Sequence, residues 1–348
     1  MIPRSTLADG YSMSRLIKGG WHLAGGHGDV DAAQALADMA QFVAAGITSF
    51  DCADIYTGVE ALIGSFRRAY PDLARKLQVH TKFVPDLADL PSVDRRYVAR
   101  IIDRSLERLG TERLDLVQFH WWDFAVPGYV EAALELTRQQ AAGKIHHVGV
   151  TNFDTNHLEE LLEAGVPVAA HQLQYSLLDD RPRPSMVACC AANDVALLCY
   201  GTVAGGFLSE RWVGRPEPSA GLANRSLVKY RLIIEDFGGW GLFQELLRVL
   251  SGVARKYSCD IASVATRAIL DRPQVAAAIV GATNASHLSS HARIAALRLD
   301  AGDLAAIEAV TVRRRGPLGD VYELERDRTG RHGGIMKYDL NTPASASG

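Results

Sequence analysis

The chain has 348 residues, of which 48% are hydrophobic and 22% charged, with a formal net charge of −3. That balance is ordinary for a globular protein and gives no electrostatic footing for nucleic acid or an anionic membrane surface as partner. No stretch approaches the roughly 20 apolar residues that span a bilayer, and residues 1–20 carry no signal-peptide run, so a cytoplasmic location is expected.

Cysteines 52, 189, 190, 199 and 259 form no C-x-x-C pair, so neither a disulfide framework nor a metal site is expected. After a short leader, residues 15–17 make a first strand that runs into Gly19-Gly20-Trp21-His22. Residues 29–45 have helical spacing with Asp29 as the expected N-cap. A strand at 47–51 follows, then a helix over about 58–70, a strand at 77–82 and an amphipathic helix over 94–109. Strand 114–119, helix 129–142, strand 145–150 and helix 154–164 continue the alternation. Strand 168–173, a short helix 185–192 and strand 195–199 come next. Residues 200–236, rich in Gly, Pro, Arg and Trp, read as one long loop. Helices over 240–256 and 261–270, strand 274–280 and a last helix from Asn284 or Ser286 complete the series.

Strand followed by helix, eight times over, predicts an α/β fold: one (β/α)8 TIM barrel, a single domain over 1–348 with extended loops at its C-terminal mouth. The core is expected over about 14–310, and the polar tail, 313–348, is left either crossing the mouth or partly disordered.

In such a barrel the strand C-termini converge on one face, where chemistry collects. Asp51 closes the second strand and Tyr56 lies one loop on. Lys82 ends the third strand and His120 the fourth. An acid, a phenol, an ammonium and an imidazole are delivered to one face. Reducing a carbonyl by hydride leaves an alkoxide that needs a proton. A tyrosine hydroxyl, with pKa about 10, needs a neighbouring ammonium to be brought within reach. Tyr56 is therefore read as general acid, or as base in the oxidising direction. Lys82 tunes it, Asp51 balances Lys82, and His120 orients the carbonyl oxygen. The bland alternative is a structural Asp51–Lys82 ion pair.

The pattern Asp51-Cys-Ala-Asp-Ile-Tyr56, Thr81-Lys82 and Gln118-Phe119-His120-Trp121, with Glu60 and Gly64 continuing it, resembles the aldo-keto reductases over roughly residues 14–310. Thr57 departs from the glycine common in that family. The resemblance implies an NAD(P)-dependent oxidoreductase acting on a small-molecule carbonyl. It implies that Thr151, Asn152 and Gln172 hold the carboxamide of a nicotinamide and that Tyr200 stacks on its ring. Gly201, Thr202, Val203, Gly205 and Leu208 belong to the loop that takes the pyrophosphate through backbone N–H groups. Gly281, Thr283, His287 and His291 fall at the adenosine end. NADP(H) is the family's usual cofactor. No Arg or Lys stands among those four positions, however, so NAD(H) stays open and Arg293 is the nearest substitute. On that reading a proton on His287 or His291 would sharpen any NADPH preference below about pH 6.5. Trp21 and Trp121 resemble pocket-lining aromatics, which would suit a sugar-like or a small aromatic carbonyl.

Two other readings keep the fold. One is an NAD(P)+-dependent aldose or alcohol dehydrogenase running the same chemistry backwards. The other is a cofactor-sensing binding partner with little turnover.

Overall fold

The structure, a computed structural model, describes residues 2–24, 30–218, 222, 224–281 and 284–341. Its first element is a hairpin of β1 (Arg4–Ala8) and β2 (Tyr11–Ser14), turning at Asp9-Gly10 with Gly10 at φ 73°. Eight further strands follow: β3 (Leu16–Gly19), β4 (Ser49–Asp51), β5 (Gln78–Phe83), β6 (Leu114–Phe119), β7 (Ile145–Thr151), β8 (Val168–Gln174), β9 (Ala196–Tyr200) and β10 (Val275–Val280). They close a parallel barrel in the order β10-β3-β4-β5-β6-β7-β8-β9.

Each barrel strand lies within about two residues of its expected position, because a strand buried on both sides reads as a short apolar run between turn signals. The outer core packs strand residues such as Leu16, Val79 and Val117 against helix faces. The inner core is small: Ile17, Leu116, Ala170, Leu198 and Ala277 meet Leu7, Tyr11 and Met13 of the hairpin. The hairpin thus closes the floor of the barrel. The sequence reading passes over it as a short leader, although Asp-Gly between two short alternating runs is a hairpin signal.

Two other elements depart from expectation. The first barrel helix is Ala32–Ala44, capped by Asp31, whose carboxylate accepts from the N–H groups of Ala33 and Gln34. Asp29 and the glycine-rich stretch before it lie outside the described residues. The supposed loop 200–236 contains a helix, Arg225–Phe237, capped by Asn224 and burying Leu227, Tyr230, Ile233, Ile234 and Phe237. The described part of the tail, 313–341, is ordered against the barrel mouth, and residues 342–348 lie outside the described set.

Candidate active site

Register puts polar side chains at the mouth. Asp51 is the last residue of β4, and Lys82 pairs in register with Gln118 of β6, so both turn inward where the strands end. Lys82 Nζ donates to Asp51 Oδ1 and Oδ2 at 2.7 and 2.8 Å and to the Cys52 carbonyl at 2.8 Å. Gln172 Nε2 donates to the same Asp51 Oδ1 at 2.6 Å, and Gln118 Nε2 at 3.3 Å. One carboxylate therefore ties four strands together. Lys82 Nζ also lies 4.8 Å from the centroid of the Tyr56 ring.

Burial opposes the Lys82 charge, but Asp51 and Tyr56 outweigh it and raise the ammonium above its ordinary range. Burial likewise pushes the Tyr56 hydroxyl up, and Lys82 pulls against that shift. At neutral pH the pair is phenol beside ammonium, the protonation state a proton donor needs.

His120 follows β6. Its Nδ1 is 3.0 Å from the Thr151 carbonyl oxygen, which can only accept, so Nδ1 carries the hydrogen. Its Nε2 is buried without a partner among the described residues, and the ring faces the cavity. Burial, helped by the Arg326 charge, brings the imidazole down to about 3. The ring is neutral and Nε2 offers a lone pair, not a proton. In this tautomer Nε2 can accept from a hydroxyl, whereas orienting a carbonyl oxygen, the role expected of His120, would need it to donate.

A cavity of about 760 Å3 opens over these groups. Its wall holds Asp51, Tyr56, Lys82 and His120 together with Thr151, Asn152, Gln172 and Tyr200. Gln172 spends its amide nitrogen on Asp51 and Gln118, so only its oxygen is left to meet an amide donor. Tyr200 is fixed by its hydroxyl, which donates to Asn152 Oδ1 at 2.8 Å. The segment Gly201, Thr202, Val203, Gly205 and Leu208 continues the wall. Gly201 and Gly205 sit at φ 77° and 64° with Tyr230 pressed against them, and a Cβ would come within 2.3 and 2.8 Å of that side chain. Only glycine fits there. Gly281, His287 and His291 reach the far end of the same wall.

Several expectations change. Trp121 is fully buried, donates through Nε1 to the Val126 carbonyl, and packs edge-on to Phe119. Its neighbour Trp122 lines the cavity instead, with Trp21. Thr283 lies outside the described residues. His291 is 5% exposed and burial brings it down to about 4, so it takes up no proton near pH 6.5. Arg293 is solvent-exposed and off the cavity wall.

The sequence reading missed the cations of the site. Arg211, Arg225 and Lys229 all line the cavity, the last two, together with Ser226, from the first turns of helix Arg225–Phe237. Lys229 lies among the rings of Tyr200, Tyr230 and Tyr322 at 5.3–5.7 Å, with Glu325 at 3.7 Å. Burial lowers its pKa against the pull of Glu325.

The tail completes the mouth. Arg181, itself held by Asp179, binds both oxygens of Glu325 at 2.9 and 3.1 Å. Arg326 Nη2 donates to the carbonyls of Asn152 and Trp121, and Asp320 accepts from Thr155 N–H. Buried Asp86 takes the N–H groups of Leu340 and Asn341. Tyr322, Ile335, Met336, Lys337 and Leu340 are so placed on the cavity wall.

This donor set fits a dinucleotide: an amide oxygen and a tyrosine ring at one end, a glycine loop with two arginines beyond it. Comparison with known proteins agrees. The chain is 28% identical over 258 residues to flagellar radial spoke protein 5 of Chlamydomonas reinhardtii, covering 63% of this chain and 49% of that one. The chain thus spans about half that relative's length. It is 23% identical over 314 residues to the NADH-specific methylglyoxal reductase of Escherichia coli, covering 84% and 92%. Among solved structures, the glycerol dehydrogenase of Gluconobacter oxydans superposes with TM-score 0.74 at 21% identity, covering 92% of this chain and 97% of that one. A thermostable aldo-keto reductase gives TM-score 0.70 at 22% identity, covering 89% and 100%. The model of the Aldo/keto reductase family matches residues 15–312, nearly the whole barrel, and the chain belongs to that family.

Proposed function

We propose that the protein reduces an aldehyde or ketone to the alcohol, with Tyr56 giving the proton to the carbonyl oxygen. The observation that carries this reading is the buried Asp51–Lys82 pair beneath Tyr56 in the cavity wall, since a lone structural pair would not need a phenol at its edge. A bound nicotinamide cofactor supplies the hydride, as no side chain can. Thr151, Asn152, Gln172 and Tyr200 would hold its ring end, and the Gly201–Leu208 stretch with Arg211 and Arg225 its phosphates. As the alkoxide forms, Tyr56 transfers its proton, and the Lys82 ammonium stabilises the tyrosinate left behind. His120 Nε2 then accepts the hydrogen bond of the new hydroxyl. The phosphates that Arg211 and Arg225 would hold are common to NADP(H) and NAD(H), so the two arginines serve either cofactor.

The bare Nε2 of His120 also favours a second direction. An alcohol entering the site would find an acceptor in place, and the same tetrad would oxidise it with NAD(P)+.

Tyr56→Phe tests the assignment. It should lower turnover by about 10²–10⁴-fold while leaving cofactor affinity, read by fluorescence titration, nearly unchanged. Turnover near wild type would mean that the proton comes from elsewhere.

A further inference from the structure

The reacting end of the cavity is walled by rings whose polar edges are largely spent. Trp21 stands edge-on to Tyr56 at 5.1 Å, and Trp122 and Tyr322 stand edge-on to His120 at 4.3 and 5.5 Å. Tyr338 packs edge-on to Trp122 at 5.1 Å, bringing Ile335, Met336 and Leu340 onto the wall. Trp122 Nε1 donates to the Pro85 carbonyl at 2.9 Å and the Tyr338 hydroxyl to the Gly333 carbonyl at 2.8 Å. Among the described residues, the polar groups that the tail itself brings to the cavity wall are the Tyr322 hydroxyl and one cation, Lys337, while His22 and Trp21 line the cavity from the β3 end. Lys337 is solvent-exposed, lines the cavity, and makes no ion pair among the described residues.

We propose that the substrate is an aldehyde or ketone with an apolar body, aromatic or alkyl, whose far end carries a carboxylate that Lys337 meets. The inference rests on the reading of Tyr56 and His120 as the carbonyl end. A sugar brought against these rings would lose water from several hydroxyls and find few partners for them, which is a direct penalty. An apolar body gains from the same surface. A lone, exposed ammonium suits a single carboxylate, whereas a phosphate ester is better served by the planar fork of arginine.

The test is kcat/KM, with NADPH and with NADH, for benzaldehyde, 4-carboxybenzaldehyde, 4-(trimethylammonio)benzaldehyde, glyceraldehyde and a series of straight-chain alkanals. Values should climb about fourfold per methylene until the wall is filled, and glyceraldehyde should fall well below butanal. The carboxylate should be preferred to benzaldehyde by about two- to fivefold, fading with salt. In Lys337→Gln that ratio should fall to about one, and in Lys337→Glu the cationic aldehyde should overtake the anionic one. Taking ratios within one variant cancels any general loss from a disturbed tail. An unchanged order of the three aromatic aldehydes in Lys337→Glu, or glyceraldehyde turned over as well as butanal, would overturn the proposal. If no aldehyde is reduced by the wild-type protein with either cofactor, the underlying reading of Tyr56 fails, and this inference with it.

Discussion

His120 Nδ1 lies 3.0 Å from the main-chain oxygen of Thr151 on the neighbouring strand, and this contact decides what the other ring nitrogen can do. With the hydrogen committed to Thr151 and the ring brought down to about 3, Nε2 remains an acceptor through the working range.

The pH profile of carbonyl reduction should therefore lack a histidine limb. Tyr56 must hold its proton to act as acid, and it does so below a pKa that burial has raised from about 10. Reduction, measured as kcat/KM, should run flat from about pH 6 to 9 and decline only in alkali. A break near 6.5 would place a titrating proton on His120.

Replacing Asp51 by Asn should cost stability as well as turnover. The side chains of Asp51 and Lys82 are each only 5% exposed, so removing one charge strands the other in the barrel. Loss of one partner of a buried pair costs about 3–5 kcal/mol, readable in urea unfolding. Lys82 would then be easier to deprotonate, which withdraws support from a tyrosinate. A variant as stable as the parent would show that water already reaches the pair.

Arg225→Ala should weaken both NADPH and NADH by about tenfold, the scale of a hydrogen bond to a charged group, with the effect shrinking in salt. His291→Asn should not alter cofactor preference between pH 5.5 and 8, because the buried ring is neutral throughout that range. Titrations of both nucleotides across salt and pH check the two statements together.

Acid should unfold the protein well before its carboxylates titrate out. Burial brings His80 and His171 down to about 3, and each ring takes up a proton near 6.5 once unfolded. Because the unfolded chain binds the extra protons, stability falls as pH drops below about 6.5 and keeps falling until the folded values are reached. At pH 5 each fully buried ring should subtract about 2 kcal/mol. Thermal midpoints measured from pH 7 to 4 provide the check, and a flat curve would mean that the rings are already solvated.

Much of the site was legible because its residues come as local punctuation at strand ends. Glu60 and Gly64, carried along with the motif, now have physical reasons. Glu60 accepts from Thr81 Oγ1 at 2.6 Å, bracing the residue before Lys82. A Cβ on Gly64 would stand 2.1 Å from the Arg108 carbonyl oxygen, so only glycine lets these helices touch. What escaped was information carried across the fold. Helix Arg225–Phe237 has a regular apolar stripe, but the Gly- and Pro-rich stretch before it masked that stripe and hid Arg225 and Lys229. Trp121 and Trp122 are neighbours of the same type, and only the path of the chain after β6 decides which one meets the cavity. Gln172 is expected to hold the carboxamide, and only the fold shows that a carboxylate 121 positions away takes its amide nitrogen and leaves its oxygen free for that part.

The floor hairpin separates two concerns that many enzymes mix. Tyr11 reaches His80 at 3.2 Å and packs tilted against His146 and edge-on to His147, at the opposite end of the barrel strands from Tyr56. Burial, helped by the Lys82 charge from the mouth, keeps His80 neutral, so its protonation in acid loosens the base of the barrel. Acid tolerance is thus an adjustable property of the base. Exchanging these histidines for neutral rings or amides offers a route to a hardier catalyst that keeps its parent's substrate profile.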